Sequence, residues 1–160
     1  MVVKIDVNIV NSILSAVKNS FKVITNLDLK IEKPKVIKEI EKEYDVVTNI
    51  GFTGVLEGNI VYSFSQKVAL ALVNDMMQGM MEVKELDDMA ISAIGELGNM
   101  VSGSIATYLE QLGYLISVTP PSILRGKIVK VSVRGTILLF PIYVSEKNEM
   151  DLYFVFKEKK

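Results

Sequence analysis

Apolar and polar positions alternate along this chain with two different periods, and the changes of period mark its elements. From Asp6 to Asn26 the apolar residues Val10, Ile13, Leu14, Val17, Phe21 and Ile24 recur at three- and four-residue spacings, which predicts an amphipathic helix. Leu29 to Ile40 has no such period and contains Pro34, so it reads as an edge strand or extended link. Tyr44–Gly51 and Val55–Phe64 are β-rich runs around Phe52-Thr53-Gly54, the pattern of a hairpin. Ser65 is placed to cap a helix running to Gln78, with Gly79 as its stop.

Beyond the link Met80–Lys84 lies the longest helical candidate, Leu86–Leu112, with Asp87 or Asp88 at its start and Gly113 at its end. Ile116–Thr119 then runs into Pro120-Pro121, expected to interrupt regular pairing. Three further strands are predicted at Lys127–Val133, Thr136–Val144 and Met150–Phe156, with turns at Arg134-Gly135 and Ser145–Glu149. Strands in runs, rather than alternating with helices, indicate an α+β fold: a mixed, mainly antiparallel sheet with helices packed on one face. No linker, low-complexity tract or tandem repeat divides the chain, so residues 1–160 are read as a single domain.

On a helical wheel, Leu86, Ala90, Ala93, Leu97, Val101, Tyr108 and Leu112 form an apolar stripe on the long helix. Ser92, Glu96, Asn99, Gly103 and Glu110 fall on the opposite, polar side. Glu96 and Asn99 are three residues apart and can reach one target together. Gly95, Gly98 and Gly103 each cost about 0.8–1 kcal/mol relative to alanine in a helix interior, so stability alone does not account for them. Gly103, one turn beyond Asn99, leaves room for another surface to come close. A solvated glutamate and glycines used for internal packing would produce the same pattern. The methionines at 76, 77, 80, 81, 89 and 100 are similarly open to two readings, adaptable core packing or a soft docking surface.

Composition narrows the chemistry. Apolar residues make up 49% and charged residues 23%, which suits a folded core of this size. The net charge is −1 and the 18 basic residues are scattered, which argues against nucleic acid or an anionic membrane surface as partner. No apolar run approaches the roughly 20 residues that span a bilayer, and MVVKIDVNIV lacks a signal-peptide plan. A cytoplasmic protein is expected. With no histidine and no cysteine there is no imidazole base, thiolate nucleophile or Cys/His zinc site, and no glycine-rich phosphate loop is present. Any chemistry rests on carboxylates, amides, hydroxyls and lysines.

The run Ser92-Ala93-Ile94-Gly95-Glu96-Leu97-Gly98-Asn99-Met100, followed by Gly103 and by Thr119-Pro120-Pro121, resembles the motif of the CheC/CheX/FliY chemotaxis phosphatases. That motif has Asp or Ser, Glu four residues on, Asn three residues later and a proline just over twenty residues beyond, for which Pro121 is the better candidate. The hairpin, with Gly54, Glu57-Gly58 and Tyr62-Ser63-Phe64-Ser65, and the following Met76-Met77 are similar to CheX, so the likeness runs colinearly from about Val46 to Pro141. The first helix carries no second Glu-x-x-Asn, and one site per chain resembles the CheX arrangement.

The resemblance implies a phosphatase acting on the aspartyl phosphate of a response regulator, with Asn99 orienting the attacking water and Glu96 contacting the regulator's active-site lysine. Ser92, Gly103 and Pro121 would line the regulator-binding surface. It implies no cofactor or metal site of the chain's own, since Mg2+ is supplied by the phosphorylated CheY-like receiver domain. It also implies a homodimer, in keeping with the β-forming run Asp151–Phe156, which as a free sheet edge would invite pairing unless the terminal lysines protect it. A non-catalytic regulator-binding or flagellar-switch adaptor on the same fold is the alternative, and a small-ligand domain a third reading with only the glycines and hairpin in its favour.

Overall fold

A computed structural model describes residues 6–158; Lys159 and Lys160, the last of the terminal lysines, and the first five residues lie outside it. The elements are α1 (Val7–Thr25), β1 (Lys30–Ile31), β2 (Lys35–Ile37), β3 (Tyr44–Gly54), β4 (Leu56–Phe64), α2 (Gln66–Met77), α3 (Asp88–Gln111), β5 (Ile116–Val118), β6 (Ser122–Ile128), β7 (Thr136–Tyr143) and β8 (Met150–Glu158). Each helix starts at a side-chain cap. Asp6 accepts from Asn8 N at 2.8 Å, Ser65 from Val68 N at 3.1 Å, and Asp87 from Ala90 N at 2.9 Å. Gly113 follows α3 with φ 93°, a left-handed conformation that lets its N–H close on Glu110 O at 2.9 Å.

The described strands form one antiparallel sheet in the order β1-β7-β8-β4-β3-β5, with β2 also on β7 and β6 also on β3. Alternation sends Val46, Ile50 and Phe52 of β3, Ile60, Tyr62 and Phe64 of β4, and Leu152, Phe154 and Phe156 of β8 to one face. The buried stripes of all three helices pack there: Ile9, Ile13, Val17 and Phe21 of α1, Val68 and Leu72 of α2, Leu97, Val101 and Ile105 of α3. The opposite face carries a smaller cluster, Val47, Val61, Ile137, Tyr153 and Val155, closed over by Ile40, Tyr44, Val131 and Val133 rather than by a helix. Asp151 is buried on that side, where Asn148 Nδ2 (3.1 Å), Lys42 Nζ (3.3 Å) and the Tyr153 hydroxyl (3.4 Å) donate to it. Burial pushes its carboxyl above the usual carboxylate range, and Lys42 opposes that push.

Three expectations need correction. The C-terminal run is not an edge: β8 pairs with β4 from Leu56 to Phe64 and with β7 from Thr136 to Ile142, so both its edges are occupied. The predicted strand Lys127–Val133 lies earlier, at Ser122–Ile128, because β3 offers a partner only from Asn49 back to Tyr44; beyond it a lone bridge joins Val131 to Ile40. Pro120-Pro121 interrupts regular pairing as expected, since β5 ends at Val118 and β6 begins at Ser122. β5 and β6 lie end to end along β3, and Thr119 N donates to Gly51 O at 2.8 Å between them. The hairpin turn is also tighter than Phe52-Thr53-Gly54, since Phe52 pairs with Gly58 and β3 extends to Gly54.

Candidate functional site

The seat of α3 explains two of its glycines. A Cβ on Gly98 would come within 3.3 Å of Ile50 Cδ1, 3.4 Å of Thr48 Oγ1 and 3.6 Å of Tyr62 Cδ1, so the helix backbone lies close on β3 and β4 there. Next to it the buried Ser102 hydroxyl meets that of Tyr62 at 2.8 Å, and burial raises the Tyr62 phenol so that it stays protonated. A Cβ on Gly95 would stand 2.9 Å from Ile123 Cδ1 and 3.6 Å from Pro121 Cγ, so this glycine admits the β5–β6 connection to the flank of α3. For Gly95 and Gly98 the internal-packing reading holds. It fails for Gly103, whose missing Cβ would meet nothing within 4 Å.

With that seat fixed, the outward face of α3 carries Ser92 and Glu96, both exposed, and Asn99 and Gly103, both half-buried. Among the described residues neither the Glu96 carboxylate nor the Asn99 amide has an ion-pair or side-chain hydrogen-bond partner. Pro121, distant in sequence, is brought beside Gly95, one turn below Asn99. All five residues singled out by sequence therefore lie on or against one side of one helix. Met89 and Met100 are exposed on the same side, at 40% and 38%, while Met76 and Met77 pack against the core; each methionine reading describes part of the group. The apolar stripe is centred differently from the wheel's assignment, on Ile94, Val101, Ile105 and Leu109, while Ala93 and Tyr108 are only half-buried and Leu112 is exposed.

Sequence reasoning missed Ile123 and the platform Thr48–Ile50–Tyr62. Their periodicity marks them as strand residues and carries no sign of which helix they touch. No group of three or more carboxylates among the described residues is arranged to hold a metal ion, and no helix is long and apolar enough to cross a membrane.

A three-helix layer on one face of an antiparallel sheet is the architecture of a CheC-like protein. A crystal structure of a CheC-like superfamily protein from Shewanella sp. PV-4 superposes with a TM-score of 0.85, at 25% identity over 96% of this chain and 99% of that one. The family model described as chemotaxis phosphatase CheX matches residues 46–144. The curated CheY-P phosphatase CheX of Thermotoga maritima is 41% identical over 152 residues, covering 95% of this chain and 97% of that protein. The chain belongs to the chemotaxis phosphatase CheX family. The fold is also shared with CheX in the CheX–CheY–BeF3–Mg2+ complex from Borrelia burgdorferi (TM-score 0.75, 21% identity, 97% and 100% coverage).

Proposed function

We propose that this protein hydrolyses the aspartyl phosphate of a CheY-like receiver domain, and that Asn99 and Glu96 carry the reaction. The observation that carries the reading is the pair itself: an exposed carboxylate and a half-buried carboxamide, one turn apart and without a side-chain partner among the described residues. The Asn99 carboxamide oxygen accepts from a water and aligns it with the phosphorus, while its NH2 donates elsewhere. The water oxygen bonds to phosphorus as the bond from phosphorus to the aspartyl oxygen breaks. The electron pair returns to the regulator's carboxylate, and the water's proton leaves with inorganic phosphate. A carboxamide adds no charge to an anionic centre, and positioning alone can supply much of such a barrier. Mg2+ held by the regulator would neutralise charge on the phosphoryl oxygens. Glu96 accepts from the regulator's lysine and fixes the docked pose, with Ser92, Gly103 and Pro121 beside it.

The test is loss of phosphate from a phosphorylated receiver domain with and without the protein, in wild type and Asn99→Ala. Acceleration that disappears in the variant supports the reading. No acceleration by wild type, with binding intact, would favour the adaptor. Titration calorimetry of the protein alone should give no tight stoichiometric Mg2+ site, and such a site would overturn the regulator-supplied metal.

We further infer a cytoplasmic homodimer, two Glu96/Asn99 faces per assembly. What supports it is a different strand from the one first expected: among the described strands β6 pairs with β3 alone, and Leu124 on it is half exposed. Sedimentation equilibrium at micromolar concentration tests this, and a mass near the 17.8 kDa of one chain would exclude it.

A further inference from the structure

We propose that Gly95 is a positioning residue: by lacking a Cβ it lets Pro121 and Ile123 close against α3, and the wall they form fixes the side chain of Asn99. This rests on the reading of Asn99 as the water-orienting group.

Gly95 is buried in the interior of a helix and has no left-handed φ, so the backbone does not demand glycine there. Its conformational cost of about 1 kcal/mol relative to alanine calls for a contact in return. That contact is the wall. A Cβ at Gly95 would lie 2.9 Å from Ile123 Cδ1, 3.6 Å from Pro121 Cγ and 3.8 Å from Ile123 Cγ1. The wall's backbone is anchored by the sheet, where Ile123 pairs with Thr48 and Ser122 with Asn49. An added methyl would therefore be absorbed by the Ile123 side chain, not by the strand.

Asn99 stands four residues on, about 40° around the axis from Gly95, and helical side chains lean back toward the N-terminus. That geometry directs its carboxamide back toward the flank that Gly95 shares with Pro121 and Ile123. Its burial agrees: Asn99 is half-buried, whereas Ser92 and Glu96 on the same face are open to solvent. An unrestrained asparagine exchanges among rotamers, while a group that holds water in line must arrive already oriented.

The experiment compares wild type, Gly95→Ala, Gly95→Ala with Ile123→Val, and Ile123→Ala, using a phosphorylated receiver domain as substrate. Gly95→Ala should lower the turnover number about tenfold with little change in half-saturation, a fraction of the hundredfold loss that a 1 Å misplacement causes. Ile123→Val removes the one atom that the new methyl meets at 2.9 Å, so the double variant should recover most of the turnover. Ile123→Ala removes the Ile123 part of the wall while leaving the α3 sequence unchanged and should reproduce the loss, which covers the case of a Gly95→Ala protein that does not fold. A second readout is independent of hydrolysis: the side-chain amide resonance of Asn99 in the free protein should be ordered in wild type, shifted and broadened in Gly95→Ala, and restored in the double variant. If wild type hydrolyses nothing, the function assigned to Asn99 falls, and the amide resonance still decides whether Gly95 positions it. Unchanged turnover with an unchanged Asn99 resonance in Gly95→Ala, or equal losses in Gly95→Ala and its Ile123→Val partner, would overturn the proposal.

Discussion

Helices α1 and α3 lie side by side on the same face of the sheet and are built on different terms. Val7–Thr25 contains no glycine or proline, and it runs from the Asp6 cap to a left-handed Asn26. Its buried apolar residues Ile9, Ile13, Ala16, Val17 and Phe21 all serve the core, and the buried Ser20 and Thr25 hydroxyls donate back to the helix's own carbonyls. Asn19 even uses its amide within the chain, donating to the Tyr108 hydroxyl on α3. Asp88–Gln111 contains three glycines and an asparagine whose side chain has no partner among the described residues. Gly98 and Gly95 have reasons inside the molecule, a close sheet and a close wall. Gly103 has none, because a side chain there would meet open space. A helix whose buried face is filled by the core and whose interior holds no glycine is a structural helix. One with a destabilising residue that no contact explains, beside polar groups without a partner among the described residues, fits the proposed docking role.

Substitutions can break this comparison, and the largest effect should come from inside it. Gly98→Leu drives a side chain into Ile50, Thr48 and Tyr62 and should lower unfolding stability by about 3 kcal/mol, seen as a shifted urea midpoint. Gly103→Leu, facing open space, should not lower that midpoint and should raise it slightly. Equal effects would mean that the two glycines are not distinguished by packing.

Asn99→Ala comes next, with about a hundredfold loss of catalysed dephosphorylation and an unaltered thermal midpoint. Asn11→Ala, an exposed asparagine on α1, is the matched control and should leave turnover as it was. Loss of activity in both would remove the contrast between the helices. Glu96→Ala removes a charge-assisted contact worth about 1.5–3 kcal/mol, so half-saturation should rise about tenfold while turnover at saturating regulator is retained. A fall in saturated turnover instead would move Glu96 from docking to the chemical step.

The smallest effect is the most diagnostic. Gly103→Ala should stabilise the fold by about 0.8–1 kcal/mol, raising the thermal midpoint by roughly 2–4 °C, while weakening binding of a receiver domain. Stabilisation with unchanged binding would leave Gly103 without a partner to explain it.

The motif was legible because its residues are local. Ser92, Glu96, Asn99 and Gly103 share a helical face by spacing alone, and a continuous helix preserves that relation in any tertiary setting. The bounds of α1 were legible for the same reason, with the expected terminal residues Asp6 and Asn26 serving as its caps. Strands behaved otherwise. Met150–Phe156 was recognisable as a strand, but nothing in its composition says that both its edges are filled by β4 and β7. The alternation in Lys127–Val133 looked like pairing, yet β3 had no residues left to offer it.

What the sequence determined by itself is therefore what depends on nearest neighbours along the chain: the helices and their caps, the polar face of α3, and the single Glu-x-x-Asn. The tertiary structure decided which residues meet across long separations. It placed Ile123 and Pro121 against Gly95, Thr48 and Tyr62 beneath Gly98, and left empty space over Gly103. The three glycines look alike in the sequence because an absent side chain carries no pattern. Their meanings separate only when the surrounding atoms are in place, since a glycine's function is the distance to what occupies the room it leaves.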